Sequence, residues 1–145
     1  MAPRIVVTMP TSWLVHGFVE SVRRLSAVAD ESPSENARDI AIAAFEATNW
    51  LDAIHEQEHI SGDPRIRALL FARKRLHHQV VGGMYFDQTA AAWVWYPPDN
   101  FPIPEERFRD AAGESVYREH LARRPILDSF EHARCVLEKR WPIAQ

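Results

Sequence analysis

Apolar residues recur at intervals of three and four along most of the chain, which is the spacing of one buried helix face. The pattern predicts a first helix over residues 11–30 and a longer second helix over residues 33–59. Ser32 and Pro33 are typical of a helix start, because serine caps the free amides and proline fits the first turn. The predicted buried stripes are Trp13, Leu14, Phe18, Val22 and Leu25 in the first helix, and Ala37, Ile40, Ala41, Ala44, Phe45, Leu51 and Ile54 in the second.

A third helix is predicted over residues 63–81, between a marked start and a marked stop. Asp63-Pro64 gives the same cap-then-proline start, and Gly82-Gly83 ends the periodic pattern. The short turn before it predicts an antiparallel hairpin with the second helix. Charge supports this pairing, because residues 30–63 hold nine acids and one base whereas residues 65–75 hold five bases and no acid. The predicted buried stripe is Ile66, Leu69, Leu70, Arg73, Leu76, His77 and Val80.

Beyond the third helix the pattern changes from helical spacing to alternation. Trp93 and Trp95 point to the same side of an extended chain, and Asp87-Gln88-Thr89 is a turn sequence. A small β-hairpin is therefore predicted near residues 84–96. The prolines that follow, between 97 and 104, predict an irregular connection.

Two further helices complete the predicted fold. A short one is expected around residues 115–122, and a final one is expected to be capped by Asp128 together with Glu131. The face of the final helix includes Phe130, Leu137 and Trp141. The sequence thus predicts one mostly α-helical domain over residues 1–145: a small bundle around a long antiparallel helix pair, with a β-hairpin insertion.

Composition narrows the class of protein. A hydrophobic content of 46% with 26% charged residues is ordinary for a soluble globular domain. The net charge of −3 argues against bulk affinity for nucleic acid, so such binding requires a local basic patch. A lone cysteine excludes an internal disulfide, and Cys135 is expected to be a small buried apolar group. No apolar run is long enough for a membrane span, which predicts a cytoplasmic protein without membrane contact.

One segment matches a metal-site pattern. His55-Glu56-Gln57-Glu58-His59 is H-E-x-x-H, in which two histidines bind zinc and a glutamate activates water. Arg65 stands where one peptidase group has its third ligand, and an arginine cannot bind zinc. The segment also ends a helix that precedes a break. A charged, solvated helix end is favoured, and neither a metal nor another cofactor is predicted.

The second candidate for chemistry is the basic run of the third helix. Arg73 and His77 are about 40° apart around a regular helix, whereas His78 lies about 140° from Arg73. Histidine near neutral pH moves protons, and arginine neutralises charge on phosphate oxygens, so the combination suits metal-free cleavage of RNA. RNA is favoured over DNA because only RNA supplies an internal 2′-hydroxyl nucleophile. Affinity for the RNA backbone would come from Arg65, Arg67, Lys74 and Arg75.

A structural alternative stands beside this catalytic interpretation. Arg73 could pair with an acid of the second helix, such as Glu46 or Asp52, while His77 packs in the core. The aromatic run Trp93-Val94-Trp95-Tyr96 has two interpretations as well. It could stack nucleic-acid bases, although a hairpin that covers the helical core is favoured.

The arginine and histidine pattern resembles the HEPN superfamily, in which an arginine and a histidine on a late helix form a ribonuclease site at a dimer cleft. Arg73 and His78 fall on those positions, with Lys74 where that family usually has Asn, Asp or His. The chain also resembles an uncharacterised group of actinobacterial proteins over about residues 40–130. That second resemblance rests on the segments AAFEATNWLDAI, RALLFARKRLHHQ, AAWVWYPPDN and GESVYREHLARRP.

The resemblance implies a HEPN-like helical fold, RNA as a binding partner and a homodimer. It also implies a metal-independent endoribonuclease of the toxin or defence kind, in which Arg73 stabilises phosphate and His78 or His77 acts as acid and base. HEPN domains include catalytically silent members that bind protein partners. A silent interaction or dimerisation domain is therefore the alternative, and a zinc hydrolase that uses His55, Glu56 and His59 is a third.

Overall fold

The computed structural model describes residues 8–29, 33–78, 83–98 and 109–143, with the backbone alone for residues 33–35 and 75–78. The described chain is mostly helical with one small antiparallel hairpin, as the sequence predicts. None of the helices in these ranges is long and apolar enough to cross a membrane. The elements are α1 (Thr11–Ala29), α2 (Pro33–Glu58), α3 (Pro64–His78), β1 (Met84–Asp87), β2 (Ala92–Trp95), α4 (Ala111–His120) and α5 (Ile126–Arg140).

The most extensive helix contact joins α1 and α2, which run antiparallel. The hydroxyl of Thr11 at the start of α1 donates to Glu58 at the end of α2 over 2.6 Å. At the opposite end the amide of Asn36 donates to the carbonyl of Val28. Between them Gly17 lies against the ring of Trp50, where an added Cβ would come within 2.6 Å of ring carbon. The lack of a side chain at this position lets the two helices approach closely.

The apolar stripes of α1 and α2 form much of the core, but four predicted members are exposed: Trp13, Ala37, Ala41 and Phe45. The predictions that these four residues are buried are wrong, and the exposed fractions of Trp13 and Phe45 reach 58% and 40%. Trp13 lies about 140° around the helix from the buried Phe18, and Phe45 lies about 140° from the buried Ile40. Both aromatic residues therefore face away from the core. The remaining predicted stripe includes fully buried Val22, Leu25, Ala44, Leu51 and Ile54.

Asp63 starts α3 as predicted and also ties α3 to α5. Its Oδ1 accepts from the backbone amides of Arg65 at 2.9 Å and Ile66 at 3.1 Å. Its Oδ2 lies 2.9 Å from Nε2 of His132 on α5. Burial raises the pKa of Asp63, but these hydrogen bonds outweigh it and hold the pKa below its ordinary value. Asp63 therefore both caps α3 and connects α3 to α5.

The hairpin has the predicted position and turn. Met84 pairs with Trp95 and Asp87 pairs with Ala92 in an antiparallel register. The carboxylate of Asp87 accepts from the amide of Thr89 at 2.8 Å, which stabilises the turn locally. The predicted end of the third helix at Gly82 and the proline-rich connection fall mainly on residues 79–82 and 99–108, which lie outside the described residues.

Strand β2 contributes directly to the core through its buried residue Trp95. The Trp95 amide donates to the carbonyl of Arg124 at 3.1 Å, and the Arg123 amide donates to the carbonyl of Trp95 at 2.8 Å. These bonds attach β2 to the connection between α4 and α5. The Trp95 ring is fully buried, and its Nε1 donates to Ser129 at 3.1 Å. The expected covering role is thus confirmed for the hairpin, with one strand buried more deeply than predicted.

The last two helices begin earlier than predicted. Helix α4 starts at Ala111, four residues before the predicted start, because Asp110 caps it by accepting from the Gly113 amide at 2.9 Å. Helix α5 starts at Ile126, with Pro125 in the cap position and no side-chain cap. Asp128 lies inside the first turn of α5, so its predicted role as a cap is wrong.

Cys135 is exposed, which makes the prediction of a buried thiol wrong. It lies on α5 about 140° from Phe130, a fully buried side chain of the same helix. The face of α5 that packs into the core is set by Phe130, Ala133 and Leu137. Because helical periodicity sets the angle between Cys135 and these buried residues, Cys135 lies on the solvent-facing side of α5.

His59 follows α2 in the left-handed region, with a φ of 51°. Its amide donates to the carbonyl of His55 at 2.8 Å, so this position closes the helix where glycine is usually favoured. His59→Gly is expected to raise the free energy of unfolding by about 0.5–1 kcal/mol, because glycine adopts this conformation without steric cost. Urea denaturation measures the change.

His16 supplies the matched control for that substitution. It lies on the exposed side of α1 within a regular helix. His16→Gly is expected to lower the free energy of unfolding by about 0.5–1 kcal/mol, the ordinary cost of glycine inside a helix. A loss of stability in both variants would contradict the assignment of strain to His59.

Candidate functional site

Arg73 lies where α3 packs against α2, and two side chains of α2 are its polar partners among the described residues. Its Nε donates to Oδ1 of Asn49 at 3.4 Å, and its Nη1 lies 3.4 Å from Oδ2 of Asp52. The structural interpretation expected an ion pair between Arg73 and an acid of the second helix, such as Glu46 or Asp52, and the pair forms with Asp52. Glu46 pairs instead with Arg24 of α1. The charge complementarity between the second and third helices is thus realised at Asp52.

Contacts with Asn49 and Asp52 position the guanidinium of Arg73, and part of the side chain remains exposed to solvent. Its side chain is 29% exposed, and a guanidinium has five N–H donors, more than these two contacts use. Asn49 and Asp52 are three residues apart and lie on one face of α2, so they fix the group from one side. A positioned, partly exposed arginine can donate to a phosphate oxygen from the open side.

The predicted RNA-binding residues Arg67 and Lys74 converge on a single carboxylate. Nη2 of Arg67 lies 2.8 Å from Oδ1 and 2.7 Å from Oδ2 of Asp110. Nζ of Lys74 lies 3.7 Å from the same Oδ2. Gly113 packs beneath the pair, where a Cβ would meet Nη1 of Arg67 at 2.7 Å and collide with Asp110. The charge of Arg67 is therefore committed to joining α3 and α4. Lys74 keeps 59% of its side chain exposed.

Asp110 makes the stability of the α3–α4 contact depend on pH. Burial raises the pKa of Asp110, but hydrogen bonds from Arg67 and the Gly113 amide outweigh it, so the pKa lies below its ordinary value. A carboxyl group with a lowered folded-state pKa contributes stability above its unfolded pKa of about 3.9. That contribution is lost as the pH falls through the folded-state pKa.

Asp110→Asn is expected to lower the free energy of unfolding at pH 7 by about 1–2 kcal/mol, because Arg67 loses its charged acceptor. The difference from the wild type should shrink as the pH falls below about 4. Urea denaturation across this range measures it. Asp39→Asn is the control, since the Asp39 side chain is 52% exposed and its effect should stay within about 0.5 kcal/mol. A difference that is constant with pH would contradict this account.

The backbone of α3 continues as a regular helix to His78. The side chains of Arg75, His77 and His78 lie outside the described residues, so the predicted roles of Arg75 in RNA binding and of the two histidines in catalysis stay predictions. A regular helix keeps His77 on the side of Arg73 and places His78 about 140° away. The candidate site is therefore defined structurally by Arg73, Asn49 and Asp52.

The HEQEH segment forms the end of α2 and a helix cap. Nδ1 of His55 lies 3.1 Å from the backbone amide of Ile60, which donates to it. The rings of His55 and His59 are 5.9 Å apart and nearly perpendicular. Glu58 accepts from Thr11. Within the described ranges no three His, Cys, Asp or Glu side chains are grouped so that they could hold a metal ion.

Sequence reasoning named Asp52 as one possible partner of Arg73, but it missed Asn49 and His132. Asn49 contacts Arg73 across 24 positions of the chain, and His132 contacts Asp63 across 69 positions. A carboxylate or amide on an outer helix face is ordinary, so composition does not distinguish these residues. The acid-rich second helix was the one available indication, and it did not specify which acid pairs.

Comparisons of the chain with protein-family models, with curated proteins and with solved structures find no match.

Proposed function

We propose that this is a HEPN-like, RNA-directed protein and a metal-independent endoribonuclease of the toxin or defence kind. The observation that carries the proposal is Arg73, which Asn49 and Asp52 hold in place while part of its guanidinium stays exposed. It lies one helical turn before His77 and five residues before His78. The protein would act in the cytoplasm, as the lack of a long apolar run predicts, and as a homodimer, as the resemblance implies.

The proposed reaction needs one cation and one or two proton carriers. The 2′-hydroxyl oxygen attacks the adjacent phosphorus and forms a cyclic phosphate, while the bond from phosphorus to the 5′-oxygen breaks. A histidine, His78 or His77, takes the proton from the 2′-hydroxyl or supplies one to the leaving 5′-oxygen. Arg73 donates to the non-bridging oxygens, whose negative charge grows as the new bond forms.

The surroundings of Arg73 support this role electrostatically. Asp52 at 3.4 Å offsets part of the charge of Arg73 but also fixes its orientation before substrate arrives. Lys74, with 59% of its side chain exposed, adds a second cation for the RNA backbone on the same helix. Arg67 contributes less than the sequence predicts, because Asp110 already binds it.

A second candidate function is a catalytically silent interaction or dimerisation domain. It is favoured by two exposed apolar side chains, Ile42 at 50% and Phe45 at 40%. Phe45 and Asn49 are one turn apart on α2, about 40° around the helix, so this apolar patch adjoins Arg73. A partner chain seated there would bury both side chains.

Incubation of the purified protein with a structured RNA, with and without EDTA, tests the proposal. Cleavage that resists EDTA and leaves a 2′,3′-cyclic phosphate is expected. His78→Gln and His77→Gln then identify the proton carrier, since only the acting histidine should be required. Absence of cleavage at every protein concentration would refute the nuclease. A dimer in sedimentation that Phe45→Glu dissociates would then favour the interaction domain.

A further inference from the structure

A second concave site lies at the junction of α3, α4 and α5, on the opposite end of α3 from His78. It encloses about 180 Å³. Arg65 is eight residues before Arg73, which places it about 12 Å away along the helix axis. The site is therefore separate from the candidate RNA site. It is lined by Arg65, His120, Arg124, Pro125, Asp128 and Ser129.

Two arginines and a histidine face this pocket with few counter-charges. Among the described residues neither Arg65 nor Arg124 has an acid within ion-pair distance. Arg65 is half-buried, whereas Arg124 is exposed. His120 has one acidic neighbour, Glu119 at 3.8 Å, and the Glu119 side chain is 75% exposed. Convergent like charges repel one another, so their placement around one hollow favours an anionic ligand.

The other lining residues restrict the ligand further. Ser129 is engaged within the protein, because its hydroxyl donates to the carbonyl of Ile126 at 2.6 Å and accepts from Trp95. Pro125 has no N–H and provides no side-chain cap for α5, so the first amides of α5 add partial positive charge near the pocket. Asp128 contributes one negative charge. The arginine side chains define the site, and the helix end only adds to their field.

We propose that this pocket binds a phosphate group. Two arginines approaching from α3 and from the α4–α5 connection can each donate two hydrogen bonds, which suits a tetrahedral oxyanion with several acceptor oxygens. A phosphate dianion also balances both arginine charges. Its source is either free phosphate or a phosphate monoester such as the end of a nucleotide, since both present the same terminal group.

Titration of the isotope-labelled full chain with inorganic phosphate, followed by NMR at low salt, tests the proposal. Saturable shifts are expected for the amides of Arg124 and Asp128 and for the side chain of Arg65, with a dissociation constant on the order of 1 mM. Arg65→Gln and Arg124→Gln should each weaken binding about tenfold. Asp128→Asn should tighten binding, because it removes the one opposing charge of the pocket.

Matched controls separate this site from general charge effects and from the RNA site. Arg23→Gln removes an exposed arginine of α1 that pairs with Glu20, and it should leave phosphate binding unchanged. Arg73→Gln should leave the phosphate-induced shifts of Arg124 and Asp128 unchanged, so that failure of the nuclease proposal and failure of this one are distinguishable. Thermal unfolding of each variant verifies the fold.

The source of the phosphate follows from a second titration. Adenosine monophosphate that binds as tightly as free phosphate indicates recognition of the phosphate alone, and tighter binding indicates a phosphate monoester. Adenosine that binds as well as its monophosphate overturns the proposal. Absence of saturation at about 10 mM phosphate, roughly ten times the expected constant, also overturns it. Unchanged affinity in either Arg65→Gln or Arg124→Gln does the same.

Discussion

Trp95→Ala is expected to lower the free energy of unfolding by about 3–5 kcal/mol, the range for removing a fully buried large aromatic side chain. The ring lies between Tyr117 and Phe130, with centroids 6.3 and 5.8 Å away. Loss of the ring would leave a cavity between β2, α4 and α5. It would also remove the hydrogen bond that Nε1 of Trp95 donates to Ser129. Urea denaturation followed by far-ultraviolet circular dichroism measures the change.

Trp93 and a conservative variant at Trp95 make this prediction specific. Trp93 is half-buried on the same strand, so Trp93→Ala should cost clearly less than Trp95→Ala. Trp95→Phe keeps most of the volume but loses the hydrogen bond to Ser129, and about 1–3 kcal/mol is expected. If Trp95→Ala does not fold, Trp95→Phe still gives a measurable difference. Equal costs for the two alanine variants would contradict the central position of Trp95.

Arg73→Ala is expected to lower the rate of RNA cleavage by about 10²–10³-fold, the usual effect of removing one donor to a developing oxyanion. The cleavage rate of Arg73→Lys should lie between the rates of the wild type and Arg73→Ala, because lysine keeps the charge but not the planar arrangement of donors. Single-turnover cleavage with protein in excess over RNA measures the chemical step separately from product release. Arg73→Ala should lower the cleavage rate at saturating protein as well as the affinity for RNA.

The folding of Arg73→Ala must be measured in parallel. The ion pair with Asp52 is partly exposed, at 29% and 23% for the two side chains, so its loss should cost about 1 kcal/mol. Lys139→Ala, on the exposed side of α5, serves as the control for loss of a surface cation. A rate equal to the wild type in well-folded Arg73→Ala would show that Arg73 is a structural residue.

Local features of the chain were predictable because short-range geometry controls them. The caps and turns at Asp63 and Asp87 involve amides two or three residues away, so the sequence places donor and acceptor together before any tertiary contact forms. The start of α4 was not predicted, although its cap is also local: Asp110 accepts from the amide of Gly113, three residues away. The second contact of Asp110, with Arg67 of α3, joins positions that are far apart in the sequence.

The sequence by itself determined the helices, the hairpin and the basic character of α3, since these follow from periodicity, turn residues and local charge. Only the tertiary structure decided which acid meets each arginine and that Trp95 rather than Trp13 enters the core. Periodicity gives the angle between residues on one helix, but it does not say which neighbour covers that face. The partners of Arg73, Arg67 and His132 lie 21 to 69 positions away, so their contacts depend on how the helices pack.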